Sequence, residues 1–213
     1  MPSGREGLAQ LVEREGVGPR VVAAFRAVAR ADYVPEAAQA VAYEDRPIEI
    51  LERQTTSQPS LIARMIDAAD VLPGDRVLEV GTGFGYQTAL LAALGAEVVS
   101  IDRHGSIAEA ARANLDAAGV TAEVVVGDGW QGWPERAPYD AIVVSAAAPK
   151  VPDALGRQLV EGGRLVIPIS GARGDDVLVF VKSNDHLVRV RLLTPARFVP
   201  LVGDERESDQ SNE

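Results

Sequence analysis

Three glycines at alternate positions, in the segment Gly81-Thr82-Gly83-Phe84-Gly85, follow a short apolar run. The apolar residues from Val77 to Val80 predict a buried strand, and residues 87–94 predict a helix after the glycines. Glycine lacks a Cβ atom, so it adopts unusual dihedral angles and lets a ligand approach the backbone. Because a helix N-terminus also offers free N–H groups, this loop predicts a site for a polar, nucleotide-like ligand. A tight connection without a ligand is the alternative.

The spacing of the glycines discriminates between nucleotide cofactors. A dinucleotide site has the pattern G-x-G-x-x-G, whereas this loop reads G-x-G-x-G and Tyr86 stands where the third glycine would fall. With Glu79 two residues before the first glycine, the loop fits the acidic-x-G-x-G-x-G loop of S-adenosylmethionine (SAM) methyltransferases. We therefore expect the five loop residues to contact SAM, and a nicotinamide dehydrogenase is the weakest alternative.

Two aspartates follow the next two predicted strands, residues 97–102 and 122–126. Ligands of parallel sheets bind beyond the carboxyl ends of the strands. We expect Asp102 to accept hydrogen bonds from the ribose hydroxyls, Asp128 to accept one from the adenine amine, and Gly129 to leave room for the ring. A single aspartate of this kind could instead cap a helix, but three such features at consecutive strand ends favour an adenosyl ligand.

A polar segment, Gln54-Thr55-Thr56-Ser57-Gln58-Pro59, precedes an amphipathic run that predicts a helix. One interpretation is that Ser57 or Gln58 caps this helix, with Pro59 in its first turn. The other interpretation is that the segment contacts a ligand. Both remain open, because a helix cap exposes N–H groups and hydroxyls at the same spot.

Alternating strands and helices have to position these residues. From residue 71 onward the pattern predicts an α/β fold with a doubly wound, mostly parallel, seven-stranded sheet of the Rossmann-like SAM methyltransferase type, closed by an antiparallel C-terminal hairpin. The remaining predicted elements are helices at 8–15, 19–31, 106–118 and 152–160 and strands at 139–145, 164–169, 177–181 and 187–193. We assign residues 1–58 to a helical cap with the polar segment, 59–203 to the SAM-binding domain, and 204–213 to an acidic tail expected to be disordered.

The composition excludes several classes of function. The 213 residues, 46% of them apolar, can bury a sizeable core. There is no cysteine, so disulfides and thiol nucleophiles are excluded, and with only His104 and His186 we expect no metal site. The net charge of −10 disfavours nucleic acid as a partner. No apolar run reaches the roughly 18 residues of a membrane span, and the N-terminus does not resemble a signal peptide, so we expect a cytoplasmic protein.

Taken together, these segments resemble the protein-L-isoaspartate (D-aspartate) O-methyltransferase family, over most of the chain from residue 34 to 204. The resemblance rests on the joint order of the segments 54–59, 77–87, 127–132, 137–142, 146–149, 158–168 and 197–201. It implies methyl transfer from SAM to the free α-carboxylate of L-isoaspartyl and D-aspartyl residues in damaged proteins. S-Adenosyl-L-homocysteine is then the second product. Repair proceeds through a succinimide that forms from the methyl ester. We expect a monomer.

The same resemblance implies roles for individual residues. Ser57 matches the catalytic serine, and Thr55 and Thr56 are expected to line the cofactor pocket beside it. The substrate peptide is expected to contact Ser57 and five residues of two later segments, namely Ala147, Ala148, Val199, Pro200 and Leu201. A carboxylate with a pKa near 4 is already anionic at neutral pH, so Ser57 is interpreted as a hydrogen-bonding residue that orients it, not as a nucleophile. The alternatives are an aspartate methyltransferase acting on a dedicated precursor peptide and a non-catalytic adenosyl-binding module.

Overall fold

The computed structural model describes residues 4–203. The predicted tail, residues 204–213, lies outside the described residues. In chain order, the helices are α1 (Gly4–Arg14), α2 (Pro19–Ala27), α3 (Pro59–Ala69), α4 (Tyr86–Ala93), α5 (Gly105–Ala117) and α6 (Asp153–Arg157). The strands are β1 (Ile48–Glu49), β2 (Thr55–Thr56), β3 (Arg76–Val80), β4 (Glu97–Asp102), β5 (Glu123–Val126), β6 (Tyr139–Val144), β7 (Leu159–Gly171), β8 (Gly174–Ser183) and β9 (His186–Ala196).

Seven of these strands form one sheet in the order β5-β4-β3-β6-β7-β8-β9. Strands β3 to β7 pair in parallel, whereas β8 and β9 are antiparallel to their neighbours. The chain moves outward from β3 to β5 and then returns to lay β6 against the other side of β3. This reversal places a crevice at the carboxyl ends of β3 and β6, where ligands of such sheets bind. The predicted fold class, including the C-terminal hairpin, is confirmed.

Alternation along the central strands supplies the hydrophobic core on both faces of the sheet. Val77 packs into one buried cluster and its neighbour Leu78 into the other, as successive side chains of a strand must. The first cluster also contains the apolar faces of α1 and α2, including Val12 and Phe25, packed with residues of α3 and α4. The two N-terminal helices therefore lie against the same core as the sheet. In the part of the chain that the structure describes, no helix is long and apolar enough to cross a membrane.

The predicted helix 152–160 is wrong in its second half. Helix α6 ends at Arg157, and β7 begins at Leu159 instead of residue 164. The Tyr139 N–H donates to the Gln158 carbonyl over 2.8 Å, and Tyr139 is the register partner of Leu159. Residues 159 and 160 are therefore part of a strand that pairs with β6, although the local sequence pattern predicts a helix there. Similarly, the predicted helix 19–31 ends at Ala27, because Val28 is extended with φ −92° and ψ 125°.

Candidate active site

The glycine loop connects β3 to α4 at the crevice of the sheet. Gly81, Gly83 and Gly85 have φ values of 94°, 52° and 93°, in the left-handed region that favours glycine. A Cβ atom at Gly81 would also lie 3.3 Å from Ser145 Cβ, closer than a comfortable contact. The spacing of the three glycines therefore follows from the backbone path of the loop.

Asp102, the last residue of β4, is tied to this loop by backbone hydrogen bonds. Its Oδ2 accepts from the Gly83 N–H over 3.3 Å and its Oδ1 from the His104 N–H over 3.0 Å. Burial raises the pKa of the Asp102 carboxyl, although the N–H groups of His104 and Gly83 act in the opposite direction. Both carboxylate oxygens are thereby held in a fixed orientation beside the loop.

A cavity of about 380 Å³ opens between the glycine loop, the end of β4 and the polar segment. Twelve of the residues predicted for the site line it: Thr55, Thr56, Ser57, Gly81, Thr82, Gly83, Phe84, Asp102, Gly129, Val199, Pro200 and Leu201. Four others do not line it: Gly85, Asp128, Ala147 and Ala148. The structure thus brings together residues that lie up to 146 positions apart in the sequence.

Two of the four residues outside the lining form hydrogen bonds beside it. The Ala147 N–H donates to the Val199 carbonyl over 2.8 Å, and its carbonyl accepts from the Leu201 N–H over 2.7 Å. Asp128 accepts the Trp130 N–H on Oδ1 over 2.8 Å, which shapes the turn that contains Gly129. Ala147 therefore holds the segment from Val199 to Leu201, and Asp128 holds the turn at Gly129.

A second, more polar cavity of about 480 Å³ adjoins the first. The two share Thr55, Thr56, Ser57, Ser145 and Val199. The second is further lined by polar and charged side chains, among them Asp45, Gln58, Arg64 and Arg197. Ser57 therefore lies at the junction of the two cavities.

The capping interpretation of the polar segment is wrong in its choice of residue. Gln58 occupies the N-cap position of α3, but its side chain makes no capping hydrogen bond. Instead Asp45 accepts the Ser60 N–H on Oδ1 and the Ser60 hydroxyl and Gln58 amide on Oδ2, each over 2.8 Å. Since a residue from outside the segment supplies the cap, the half-buried Ser57 hydroxyl is not used for capping.

Glu79 lies beneath the glycine loop and not in the lining of the first, cofactor-sized cavity. It is fully buried, and its Oε2 accepts hydrogen bonds from the hydroxyls of Thr88 and Ser100, the latter over 2.6 Å. Burial raises the pKa of Glu79 to about 7, against the effect of these hydroxyls. Glu79, the acidic residue of the loop pattern, therefore stabilises the loop from inside the protein and does not line the cavity.

Two residues near the site are not among those predicted from the sequence. Ser145 lines both cavities and accepts the Gln87 amide N–H over 3.1 Å. It directly follows β6, so the rule about strand ends that selected Asp102 also applies to it. Arg30 donates to Thr56 Oγ1 over 3.0 Å from a segment that was predicted as part of a helix. No local pattern indicates this contact.

Comparison with known proteins places this geometry in a family. Residues 5–206 match the family model described as protein-L-isoaspartate(D-aspartate) O-methyltransferase. The chain belongs to this family. The resemblance inferred from the sequence is thereby confirmed.

Individual relatives agree with this assignment over nearly the whole chain. A protein-L-isoaspartate O-methyltransferase of Methanoculleus marisnigri is 50% identical over 194 residues, which cover 90% of this chain and 88% of the relative. One of Methylorubrum populi is 47% identical and covers 91% of both chains. A solved structure of a protein-L-isoaspartate O-methyltransferase has a TM-score of 0.87 and 32% identity, covering 96% of this chain and 69% of that one.

A further solved structure supports the fold. It is a Plasmodium falciparum protein described as a protein-L-isoaspartate O-methyltransferase, in complex with S-adenosyl-L-homocysteine. It has a TM-score of 0.81 and 24% identity, and covers 94% of this chain and 99% of that protein.

Proposed function

We propose that this protein transfers the methyl group of SAM to the free α-carboxylate of L-isoaspartyl, and also D-aspartyl, residues in damaged proteins. The observation that carries the proposal is the position of Ser57, at the junction of the two cavities in a chain of this family. Methyl transfer breaks the sulfur–methyl bond and leaves S-adenosyl-L-homocysteine. The product ester would then close to a succinimide with loss of methanol and so begin repair.

The glycine loop, Asp102 and Gly129 of the first cavity fit an adenosyl cofactor. The open backbone of the loop from Gly81 to Gly85 lets a ligand approach closely, and the oriented carboxylate of Asp102 suits a ribose diol. A Cβ atom at Gly129 would overlap with Val80 Cγ1, so only glycine leaves this wall flat for a ring. We assign Asp128 to the adenine amine and Thr82 and Phe84 to the cofactor with the loop.

The two threonines of the polar segment contribute differently. Thr55 is exposed at the cavity edge, whereas Thr56 is buried. Thr56 Oγ1 accepts hydrogen bonds from Arg30 and from the Ile48 N–H over 3.0 and 3.2 Å. We therefore assign Thr55 a direct contact with the cofactor, and Thr56 a contact through its backbone and methyl group.

The substrate carboxylate needs no activation, so the residues of this chain have only to orient it. SAM, when bound, supplies an electrophilic methyl group, and the substrate carboxylate is already anionic at neutral pH. The Ser57 hydroxyl donates a hydrogen bond to one carboxylate oxygen. The Ser145 hydroxyl, whose oxygen already accepts from Gln87, has its proton available for the other oxygen. Such positioning can lower the barrier by several kcal/mol without a general base.

The wall opposite Ser57 is assigned to the substrate peptide. Val199, Pro200 and Leu201 line the first cavity, and Val199 also lines the second. Ala147 is buried and holds this wall by two hydrogen bonds, whereas the buried Ala148 pairs with Pro168 and Ser170 of β7. In this assignment Ala147 acts on the substrate through the wall, and Ala148 fixes the backbone that follows Ala147.

The experiment compares two peptides that differ only in one linkage. Methyl transfer from labelled SAM is measured with an isoaspartyl peptide and with the same sequence carrying a normal aspartate. We expect transfer to the first alone. Transfer only to the normal peptide would favour a dedicated aspartate methyltransferase, and transfer to neither would refute the proposal.

Ser57→Ala tests the role of the hydroxyl. Loss of one hydrogen bond to a charged group is worth about 1.5–3 kcal/mol, so turnover should fall about 10- to 100-fold while SAM affinity stays unchanged. Ser183→Ala, at the far end of β8, is the matched control and should keep full activity. Near-normal turnover of the Ser57 variant on the isoaspartyl peptide would show that the role is wrong.

A further inference from the structure

Arg30 is a fully buried arginine that follows α2, in a short 3₁₀ turn. None of the ion pairs between described residues includes it. A buried charge without a counter-ion is costly unless its donors are satisfied by hydrogen bonds. An apolar side chain of the same volume would often serve stability as well or better. The residue therefore calls for an explanation beyond packing.

The guanidinium directs its terminal nitrogens at five oxygens. Nη1 donates to the carbonyls of Ala42 and Glu44 over 3.0 and 2.9 Å. Nη2 donates to the Arg46 carbonyl over 3.0 Å, to Thr56 Oγ1 over 3.0 Å and to the Ser57 carbonyl over 3.3 Å. Two of the five acceptors thus belong to the polar segment, and one belongs to Ser57 itself.

The other side of the same guanidinium faces the cofactor loop. Its central carbon lies 5.8 Å from the centroid of the Tyr86 ring, in cation–π range. Tyr86 is the first residue of α4, directly after Gly85, and its ring also lies 5.9 Å from those of Phe25 and Tyr33. One rigid, planar group therefore contacts both the backbone of Ser57 and the residue that ends the glycine loop.

We propose that Arg30 is a positioning residue for the methyl transfer, fixing the backbone of Ser57 relative to the glycine loop. This inference rests on the proposed function, since it gives Arg30 a task only if Ser57 orients a substrate against a cofactor held by that loop. Methyl transfer by positioning is sensitive to small displacements, and a shift of about 1 Å can cost 100-fold in rate. Arginine suits this task because its planar fork can satisfy several acceptors in fixed directions, which a lysine cannot.

The charge that this arrangement needs is retained at neutral pH. Burial lowers the pKa of Arg30 to about 10, and the carboxylate charge of Asp45 acts in the opposite direction. The guanidinium is therefore protonated under physiological conditions, with all its donors available.

The test uses Arg30→Met and Arg30→Lys in the full-length protein, with turnover at saturating isoaspartyl peptide and SAM affinity by calorimetry. We expect kcat to fall about 100-fold in the methionine variant and less in the lysine variant, while the Kd for SAM changes less than about 3-fold. Arg26→Ala is the matched control, because Arg26 lies in the last turn of α2 and, among residues 4–203, its ion pairs are with the exposed Glu6 and Glu13. It should leave both quantities unchanged.

Thr56→Val keeps the test decisive if the Arg30 variants do not fold. It removes one acceptor of the guanidinium while preserving shape, and should lower kcat about 3- to 10-fold with an unchanged Kd for SAM. Normal kcat in Arg30→Lys and in Thr56→Val would overturn the inference. So would a parallel loss of kcat and SAM affinity, which indicates a structural role only. Inactivity of the unmodified protein on the isoaspartyl peptide would instead refute the proposed function.

Discussion

Replacing Glu79 by glutamine should stabilise the protein above pH 7 and leave it nearly unchanged below pH 4.5. Burial raises the pKa of Glu79 to about 7, from an ordinary value of 4.5. The folded protein therefore keeps a proton that the unfolded chain releases, and stability falls as the pH rises from 4.5 to 7. At about 1.4 kcal/mol for each pH unit, the full loss is about 3 kcal/mol. A neutral glutamine does not incur it.

The local structure indicates that glutamine will fit at position 79. Its amide oxygen can accept the hydroxyl hydrogen bonds of Thr88 and Ser100 that now end on Oε2. Its NH2 group can donate to Gln87 Oε1, a buried acceptor that has no partner among the described residues. The side chain of Gln87 is among the groups that lower the pKa of Glu79, so it lies beside position 79.

The assay is urea unfolding of the unmodified and Glu79→Gln proteins at pH 5, 6, 7 and 8. The difference in unfolding free energy should grow with pH and reach about 3 kcal/mol at pH 8. Glu97→Gln, at an exposed position at the start of β4, removes the same charge and should give a nearly constant difference. A Glu79→Gln difference that does not change with pH would refute the reasoning, because it would mean that Glu79 has the same proton affinity in both states.

Two further predictions concern the cofactor cavity. Asp102→Asn removes the charge that suits a ribose diol and one of the two acceptors of backbone N–H groups, so the SAM affinity measured by calorimetry should fall about 10- to 100-fold. An unchanged Kd would remove Asp102 from the ribose site. Gly129→Ala forces a Cβ atom against Val80 Cγ1, which should cost about 1–3 kcal/mol of stability by urea unfolding and weaken SAM binding. Gly105→Ala, where an added Cβ atom has no neighbour within 4 Å, should do neither, and equal effects of the two changes would contradict the overlap.

The parts of the fold that local sequence could predict are those that depend on local geometry. The glycine loop needs left-handed dihedral angles at three alternate positions, and a strand followed by a polar residue locates Asp102 at the sheet edge. The start of β7 at Leu159 could not be predicted in this way, because it depends on pairing with Tyr139 some 20 positions earlier. The cap of α3 likewise comes from Asp45, which lies 15 positions before the N–H group that it accepts.

Arg30 shows the same limit for the site. Its position near the end of a predicted amphipathic helix favours a solvent-exposed arginine, whereas in the structure it donates to five acceptors supplied by residues 42–57. Side chains whose environment is made by distant backbone carbonyls carry no periodic pattern. Ser145 differs, because it follows a predicted strand and the rule that located Asp102 would have found it.

Several energetically unfavourable features of the described residues lie around the first cavity, and the proposed reaction explains why. Arg30 is a buried charge that is in none of the ion pairs between described residues, and Glu79 is a buried acid whose ionisation opposes folding. At the cavity rim, Glu52 and Arg53 have left-handed φ values of 55° and 56°, which side chains other than glycine adopt at a cost of about 1–2 kcal/mol each. A reaction between an electrophilic methyl group and an existing carboxylate gains little from a base or a nucleophile, so selection on its rate acts mainly on placement. Placement requires groups that hold their neighbours in one arrangement even where another side chain would be more stable, and such strain is retained where function requires it. The apolar residues of β3 and β6 differ from these residues, because in the sheet core the same packing both stabilises the fold and positions the site.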